Sequence, residues 1–463
     1  MAKISPDRKC LQVIVLTLVL AFFCRAGMAA AEQKVYRLDQ LIEMAVATDP
    51  ELKMAEQDVL VARSEFSQAK AGMLPQLDLN AIIGPVDEAR EPVVLVNAQN
   101  VGVLADRDSD TVTVFGRLDF AITQPLYTFG KISNRKDAAA LGVEAQLAAK
   151  EKKRNEVALH VKELYYAYLV AGQGKKAAGE ADDFIQNAGK RIKRLIAMKA
   201  KNADQSDLYR LDAFSAEVKA FAAKAEAGAK LSYQALKKAA GLRDDEDFRL
   251  DAVELPKKPL QLGPEGEYVL LALANRPEFI QTKKGAEARK KLMEAAQADL
   301  YPSFYAAVIG SVAGSPGRDR MDISYIPDQF NHEYAGVVAG AQWHFDLGIG
   351  KGKVDKAKAE YDRTRHAQDF AARNIPLEVM KYYQDAIESE TSYKAFEQAA
   401  VGSRRWIVTA FANFDMGTGT ARDMFDAIDR YGKNQGEYLR SLYGYHVALA
   451  RLDYAIGRRG DAY

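Results

Sequence analysis

Two copies of one pattern, set 216 to 227 residues apart, account for nearly the whole of this chain. Ala47-Thr48-Asp49-Pro50-Glu51-Leu52 recurs as Ala274-Asn275-Arg276-Pro277-Glu278-Phe279, and Leu74-Pro75-Gln76-Leu77 recurs as Tyr301-Pro302-Ser303-Phe304, both at 227. Gly130-Lys131 matches Gly350-Lys351 at 220, and Val161 with Leu164-Tyr165 matches Val379 with Tyr382-Tyr383 at 218. Asp207-Leu208-Tyr209 matches Asp423-Met424-Phe425, and Leu236 with Gly241 matches Leu452 with Gly457, each at 216. The offset only shrinks along the chain, as small loop deletions would make it. A repeat of this length exceeds any solenoid unit, so it describes two structural halves of one body.

The first 31 residues have the zones of a secretory signal. Lys3, Arg8 and Lys9 make a basic start, 11–24 is mostly apolar, and Ala29-Ala30-Ala31 offers an A-x-A cleavage site. That apolar run is too short to cross a bilayer as a helix. Phe22-Phe23 ahead of Cys24 is a poor match to a lipidation site. Both cysteines, Cys10 and Cys24, lie in this segment, so the exported chain is expected to hold no disulfide or cysteine metal site. Beyond it stand 60 basic and 62 acidic residues, a balance with no nucleic-acid footprint. No later apolar run reaches the ~18 residues of a membrane helix, so a membrane role has to come from strands.

Each half reads helix, two strands, very long helix, tight turn, long helix. The first half spans 32–255, with strands at about 76–84 and 111–127 and a helical hairpin at about 132–241. Pro256, Pro259 and Pro264 mark a linker at 256–264. The second half, 265–463, has strands at about 303–314 and 334–346 and a hairpin at about 353–457. Pro50 and Pro277 break the first helix of each half, because the residue before proline avoids the α region. Val157, Val161, Leu164 and Tyr168 share one helix face. A helix over 133–198 would be roughly 100 Å long. Pro376 is expected to kink or break its counterpart. Helices of that length have no compact core to cover them and must pack on one another, as coiled-coil walls do.

The strands alternate sharply. Val112, Val114, Gly116, Leu118, Phe120 and Ile122 share one face, opposite Thr113, Arg117, Asp119 and Thr123, with Phe115 and Ala121 as exceptions. Ala335, Val337, Ala339, Ala341, Trp343 and Phe345 lie opposite Gly336, Gly340, Gln342 and His344; the strand near 304–313 alternates poorly. Apolar-outward strands of about 9–11 residues with aromatics at one end suit a membrane barrel. A half-buried antiparallel sheet gives the same alternation; the export signal and the missing core favour the barrel. Four strands cannot close one, and an open edge does not survive in lipid. Two chains would give eight strands and a filled lumen, three would give twelve and an aqueous passage. The fold class is therefore mainly α with a membrane β-barrel contribution, four strands from each of three chains.

The carriers of a family likeness are Leu38-Asp39-Gln40-Leu41-Ile42-Glu43-Met44-Ala45 followed by Asp49-Pro50-Glu51-Leu52, Leu74-Pro75-Gln76-Leu77, and Gln124-Pro125-Leu126-Tyr127-Thr128-Phe129-Gly130-Lys131. Met416-Gly417-Thr418 ahead of Asp423-Met424-Phe425-Asp426 joins them. In these the chain resembles the TolC-like outer-membrane efflux proteins (outer membrane factors), over essentially all of its length after the leader. The resemblance implies a homotrimer in the outer membrane of a Gram-negative cell, with a twelve-stranded β-barrel set in lipid and an α-helical barrel reaching into the periplasm. It implies docking through a periplasmic adaptor (membrane fusion) protein to an inner-membrane transporter. Export would then be of small molecules or proteins, from a tripartite efflux pump or a type I secretion system.

It further implies that the hairpin tips, near Asn202, Ala203 and Gln205 and near Gly417, Thr418 and Gly419, contact the adaptor. Asp423 and Asp426, on one side of a helix, would ring the periplasmic constriction, where repulsion among three chains raises some carboxyl pKa values and draws cations. Asp207, the match of Asp423, would help hold the gate shut; simple N-terminal helix capping suits the same residue. The family's gate-locking arginine corresponds to Gly419, and its tyrosine to Phe414, which has no hydroxyl. Lys190, Arg191, Lys193, Arg194, Lys199 and Lys201 form a basic cluster near the first tip, read as a solvated face or as a surface for an acidic partner.

The five histidines show no ligand spacing, and Gly348-Ile349-Gly350-Lys351-Gly352 lacks the Ser or Thr of a phosphate loop. No enzyme activity, metal or cofactor is expected. A competing class is a periplasmic coiled-coil scaffold or adaptor whose sheet stays soluble. The loops at 85–110 and 315–332 are expected to face outside the cell.

Overall fold

The computed structural model describes residues 34–458 except 91–92, 97–101, 106–110, 201–202, 258 and 323; the leader expectation, over 1–31, lies outside the described residues. The first half runs β1 (Lys34–Tyr36), α1 (Leu38–Thr48), α2 (Pro50–Ala71), β2 (Gln76–Asp87), β3 (Val93–Val96), β4 (Gly102–Ala105), β5 (Val112–Tyr127), α3 (Lys131–Ala197), α4 (Gln205–Ala239) and β6 (Phe248–Leu250). The second runs α5 (Glu265–Asn275), α6 (Pro277–Ala298), β7 (Ser303–Gly314), β8 (His332–Gln342), α7 (Ile349–Asp415) and α8 (Ala421–Ala455). The helices of both halves have 11, 22, 67 and 35 residues, in that order. The duplication is one of length as well as of motif.

The breaks have local causes. Asp49 stands between α1 and α2, accepts the Leu52 amide at 2.8 Å, and is followed by Pro50 at the first helical position. In the second half Arg276 takes this place and offers no cap. Its guanidinium is buried instead, 3.2 Å from Glu278 and 2.6 Å from Glu378, which ties α6 to α7.

The long helices pack as coiled coils. On α7, Val379, Ala386, Tyr393, Ala400, Ile407 and Phe414 are buried and follow one another at seven-residue steps. Of the kink or break expected at Pro376, the break does not occur: the helix runs through it. The proline removes one backbone hydrogen bond, and buried Ile375 and Val379 on either side hold the turn in place.

Near the sheet the helices neighbour in the order α2–α3–α6–α7, and farther away in the order α4–α3–α8–α7. The sheet itself is antiparallel, in the order β2–β5–β7–β8. The molecule is thus a wall four elements wide at each of these levels. Midway along it, β1 and β6 pair in parallel. The linker is strapped there: His446 lies 2.8 Å from the Pro256 carbonyl, the Leu260 amide donates to Glu390 at 2.9 Å, and Tyr383 donates to the Gly263 carbonyl at 3.0 Å.

Candidate functional site

Strand register sorts the sheet into two unlike faces. Leu79 pairs with Phe120, Phe120 with Gly310, and Gly310 with Ala335, so one face carries an apolar row across all four strands. The neighbouring rows on it hold Leu77, Ile83, Leu118, Val308 and Val337, and nothing among the described residues covers them; Ile83 is 80 % exposed and Val337 81 %. Phe120 lies across Gly310, where a Cβ would come within 2.4 Å of its ring, so only glycine fits. The weak alternation of β7 arises on its other face, where Ala307, Ile309 and Ala313 share the parity of Ser311.

The other face is polar at its centre. Arg117 meets Asp119 at 3.0 Å, Ser311 donates to Asp119 at 2.7 Å, and His332 Nε2 lies 2.9 Å from Ser311 Oγ. Of the two ring nitrogens of His332, Nδ1, which faces the Asp328 carbonyl at 2.8 Å, is the donor, because a carbonyl can only accept. Aromatic rings gather at the helix end of the sheet. Phe129 packs on Tyr127 at 4.7 Å and on Tyr301 at 5.1 Å, Trp343 on Phe345 at 4.2 Å, and all five are exposed. Such a girdle suits a membrane–water interface.

The far end of the rod is a double hairpin tip. Ile185, Ile192, Ile407, Phe411, Phe414, Met424, Phe425 and Tyr431 share one buried cluster that joins both hairpins. Phe414, where a tyrosine hydroxyl was missed, is a core residue here. Gly417 adopts φ +76°, and Gly419 sits against Asn413, where a Cβ would come to 3.0 Å, so the family's arginine at this place would need Asn413 to shift. Thr418 donates through its hydroxyl to the Asn413 carbonyl at 3.2 Å.

Asp207 and Asp423 hold the same local post in their two hairpins. Asp207 accepts the Asp204 amide at 3.0 Å, while Asp204 accepts the amides of Ser206 and Asp207 at 2.7 and 3.2 Å. Asp423 accepts the Thr420 amide and hydroxyl at 2.9 and 2.8 Å and returns its own amide to the Thr420 hydroxyl. These are reciprocal capping boxes. The Thr420 amide and hydroxyl hold the Asp423 carboxyl below its ordinary range. Asp426 is exposed one turn on, 4.0 Å from Arg422. Gln205 is exposed at the start of α4, Ala203 packs against the tip core, and Asn202 lies outside the described residues.

Part of the basic cluster is engaged. Arg191 of α3 reaches Asp415 at the end of α7 at 3.1 Å and lies 4.7 Å over the Phe411 ring; Lys190, Lys193, Arg194 and Lys199 are exposed, and Lys201 lies outside the described residues. Sequence reasoning missed this tie and the Thr420–Asp423 box, whereas for Asp207 helix capping was one of its two readings. The Asp204-x-x-Asp207 and Thr420-x-x-Asp423 spacings would have disclosed the boxes.

No described helix is long and apolar enough to cross a membrane. Strands apolar on one side and polar on the other, continued by a helical wall roughly 100 Å long, define an outer-membrane channel subunit. The signature of the family described as outer membrane efflux protein matches residues 41–198 and 269–458, and the chain belongs to that family. The fold is similar to that of a membrane protein from Pseudomonas aeruginosa, at 18 % identity and a TM-score of 0.76, covering 92 % of this chain and 91 % of that one. It is similar to the outer membrane protein VceC from Vibrio cholerae, at 19 % identity and a TM-score of 0.71, covering 91 % and 96 %. The open-state MtrE outer membrane channel of Neisseria gonorrhoeae gives 17 %, 0.72, 91 % and 89 %. No curated protein sequence matches.

Proposed function

We propose that three copies of this chain close a twelve-stranded barrel in the outer membrane and a helical tube beneath it, and that this duct releases small molecules or proteins handed over by an inner-membrane transporter. One observation carries the reading: a four-stranded sheet with an uncovered apolar face, a polar face, and two free edges, β2 and β8. In lipid those edges need partners, and β8 of one copy against β2 of the next supplies them. The helices support the same closure. Beside its buried seam, α7 carries a second one a single residue further on, with Met380, Ile387, Val401 and Val408 exposed at multiples of seven. Its free neighbour in the next copy would be α4. Detergent-extracted protein is expected to run as a heat-sensitive trimer and to open pores in planar bilayers. A stable water-soluble monomer without pores sinks the reading.

The hairpin tips are the surface offered to a periplasmic adaptor, through Ala203, Gln205, Gly417, Thr418 and Gly419, with Asn202 next to Ala203 in the sequence. Asp423 and Asp426, with Asp207 nearby in the other hairpin, form the acidic constriction of the inner mouth. Changing Asp423 and Asp426 to Ala in reconstituted trimers should weaken cation selectivity and block by multivalent cations. Unchanged selectivity and block would remove both residues from the constriction.

A further inference from the structure

The loop between β7 and β8 does not stand away from the sheet. It folds back across the polar face. The Gly317 amide donates to Thr113 Oγ1 at 3.1 Å, and a Cβ on Gly317 would lie 2.6 Å from that of Thr113. Phe330 packs edge-on against Phe115 at 5.3 Å. Thr113 and Phe115 have the parity of Arg117 and Asp119, so both contacts are made on the side that becomes the lumen when copies close. This explains why Phe115 breaks the polar alternation of its strand: it is the seat of the loop.

The loop is also built to keep that place. Asp328 accepts the amides of Met321, Phe330 and Asn331 at 2.9, 2.9 and 3.0 Å. Arg318 stacks 4.1 Å over Phe330 and donates to the Asp87 carbonyl at 2.6 Å. His332 bonds the Asp328 carbonyl on one side and, through Ser311, Asp119 of the wall on the other. A loop held only by solvent would need none of these ties.

We propose that this inward-folded loop forms a second constriction at the outer mouth, with Phe330 and Arg318 setting its width, so that cargo is sorted by size at the exit as well as at the inner end. The inference rests on the trimeric-duct reading and would repeat three times about its axis.

The test uses full-length protein in planar bilayers, with polyethylene glycols of graded size as probes of pore width. Phe330→Ala with Arg318→Ala is expected to raise single-channel conductance by about 1.5-fold or more and to admit larger glycols from the outer side, because conduction follows the narrowest radius. The conservative pair Phe330→Tyr with Arg318→Lys, which keeps a ring against Phe115 and a cation over it, should hold the parent conductance and cut-off. Heat-sensitive trimers of both variants show that they fold. Released trimers that keep the parent conductance and cut-off overturn the constriction and leave the duct standing. If the unaltered protein opens no pore, the duct reading falls and the constriction with it.

Discussion

Two helices of equal length, α4 and α8, hold corresponding places in the two halves, yet four residues of α4 are buried against seventeen of α8. Their neighbours explain the gap. Helix α8 runs between α7 and α3, whereas α4 lies against α3 and has open space on its far side. Tyr209 and Leu231 of α4 are 66 % and 73 % exposed. Low burial in one chain therefore reports a place at the edge of the wall rather than a weak helix. The same holds for the outer stripe of α7. Both edges are where the proposed closure would seat another copy.

The largest effect that sharpens this contrast is in the α8 core. Phe425→Ala should cost about 3–5 kcal/mol, read by denaturant unfolding of the purified protein. Leu231→Ala on α4 should stay within about 0.5 kcal/mol for a separate subunit and instead weaken the assembled trimer. Equal losses in the separate subunit would break the comparison. Next comes the sheet. Val337→Arg on the apolar face should cost about 2–4 kcal/mol of membrane stability, whereas Asn80→Arg on the polar face should assemble normally; equal assembly yields would show that the faces are misassigned.

A smaller effect sits at the tip. The lowered pKa of Asp423 comes from the Thr420 amide and hydroxyl. A group depressed in the folded state adds stability above the ordinary carboxylate range, and that stability is lost as pH falls through the lowered value. Thr420→Ala should cost about 1 kcal/mol at neutral pH, and the cost should shrink on acidification. A pH-independent loss would mean that the cap does not govern the carboxyl.

The duplicated plan and the alternation of every strand but β7 were legible because each is a local pattern read at a fixed period. The spacing of Val379, Ala386 and Tyr393 was equally open to reading. What lay beyond reach depends on which distant residues meet. Alternation cannot reveal that Asp119, Ser311 and His332 align, since that needs the register of three strands. Nor does it show that Phe120 covers Gly310. Pro376 was judged by local rule, and tertiary packing on either side outweighed it. Phe129 adopts φ +53° in a junction where only Gly130 signals a left-handed turn; its contacts with Tyr127 and Tyr301 accompany that conformation.

The smallest expected effect concerns how the two hairpins hold together at the tip. Arg191 and Asp415 meet at 3.1 Å with side chains 34 % and 52 % exposed. An ion pair that open to water contributes little, with coupling below about 1 kcal/mol. A double-mutant cycle with Arg191→Met and Asp415→Asn should recover that small term, and it should fall further in ~1 M salt, where screening acts within about 3 Å. The single change Arg191→Met should cost more than the coupling, because the guanidinium also covers the Phe411 ring at 4.7 Å. A salt-insensitive coupling above about 2 kcal/mol would place the pair in a dry interface. The edge-and-centre contrast between the hairpins would then have to be redrawn, with the tip and not the shared α3–α8 seam as their main junction.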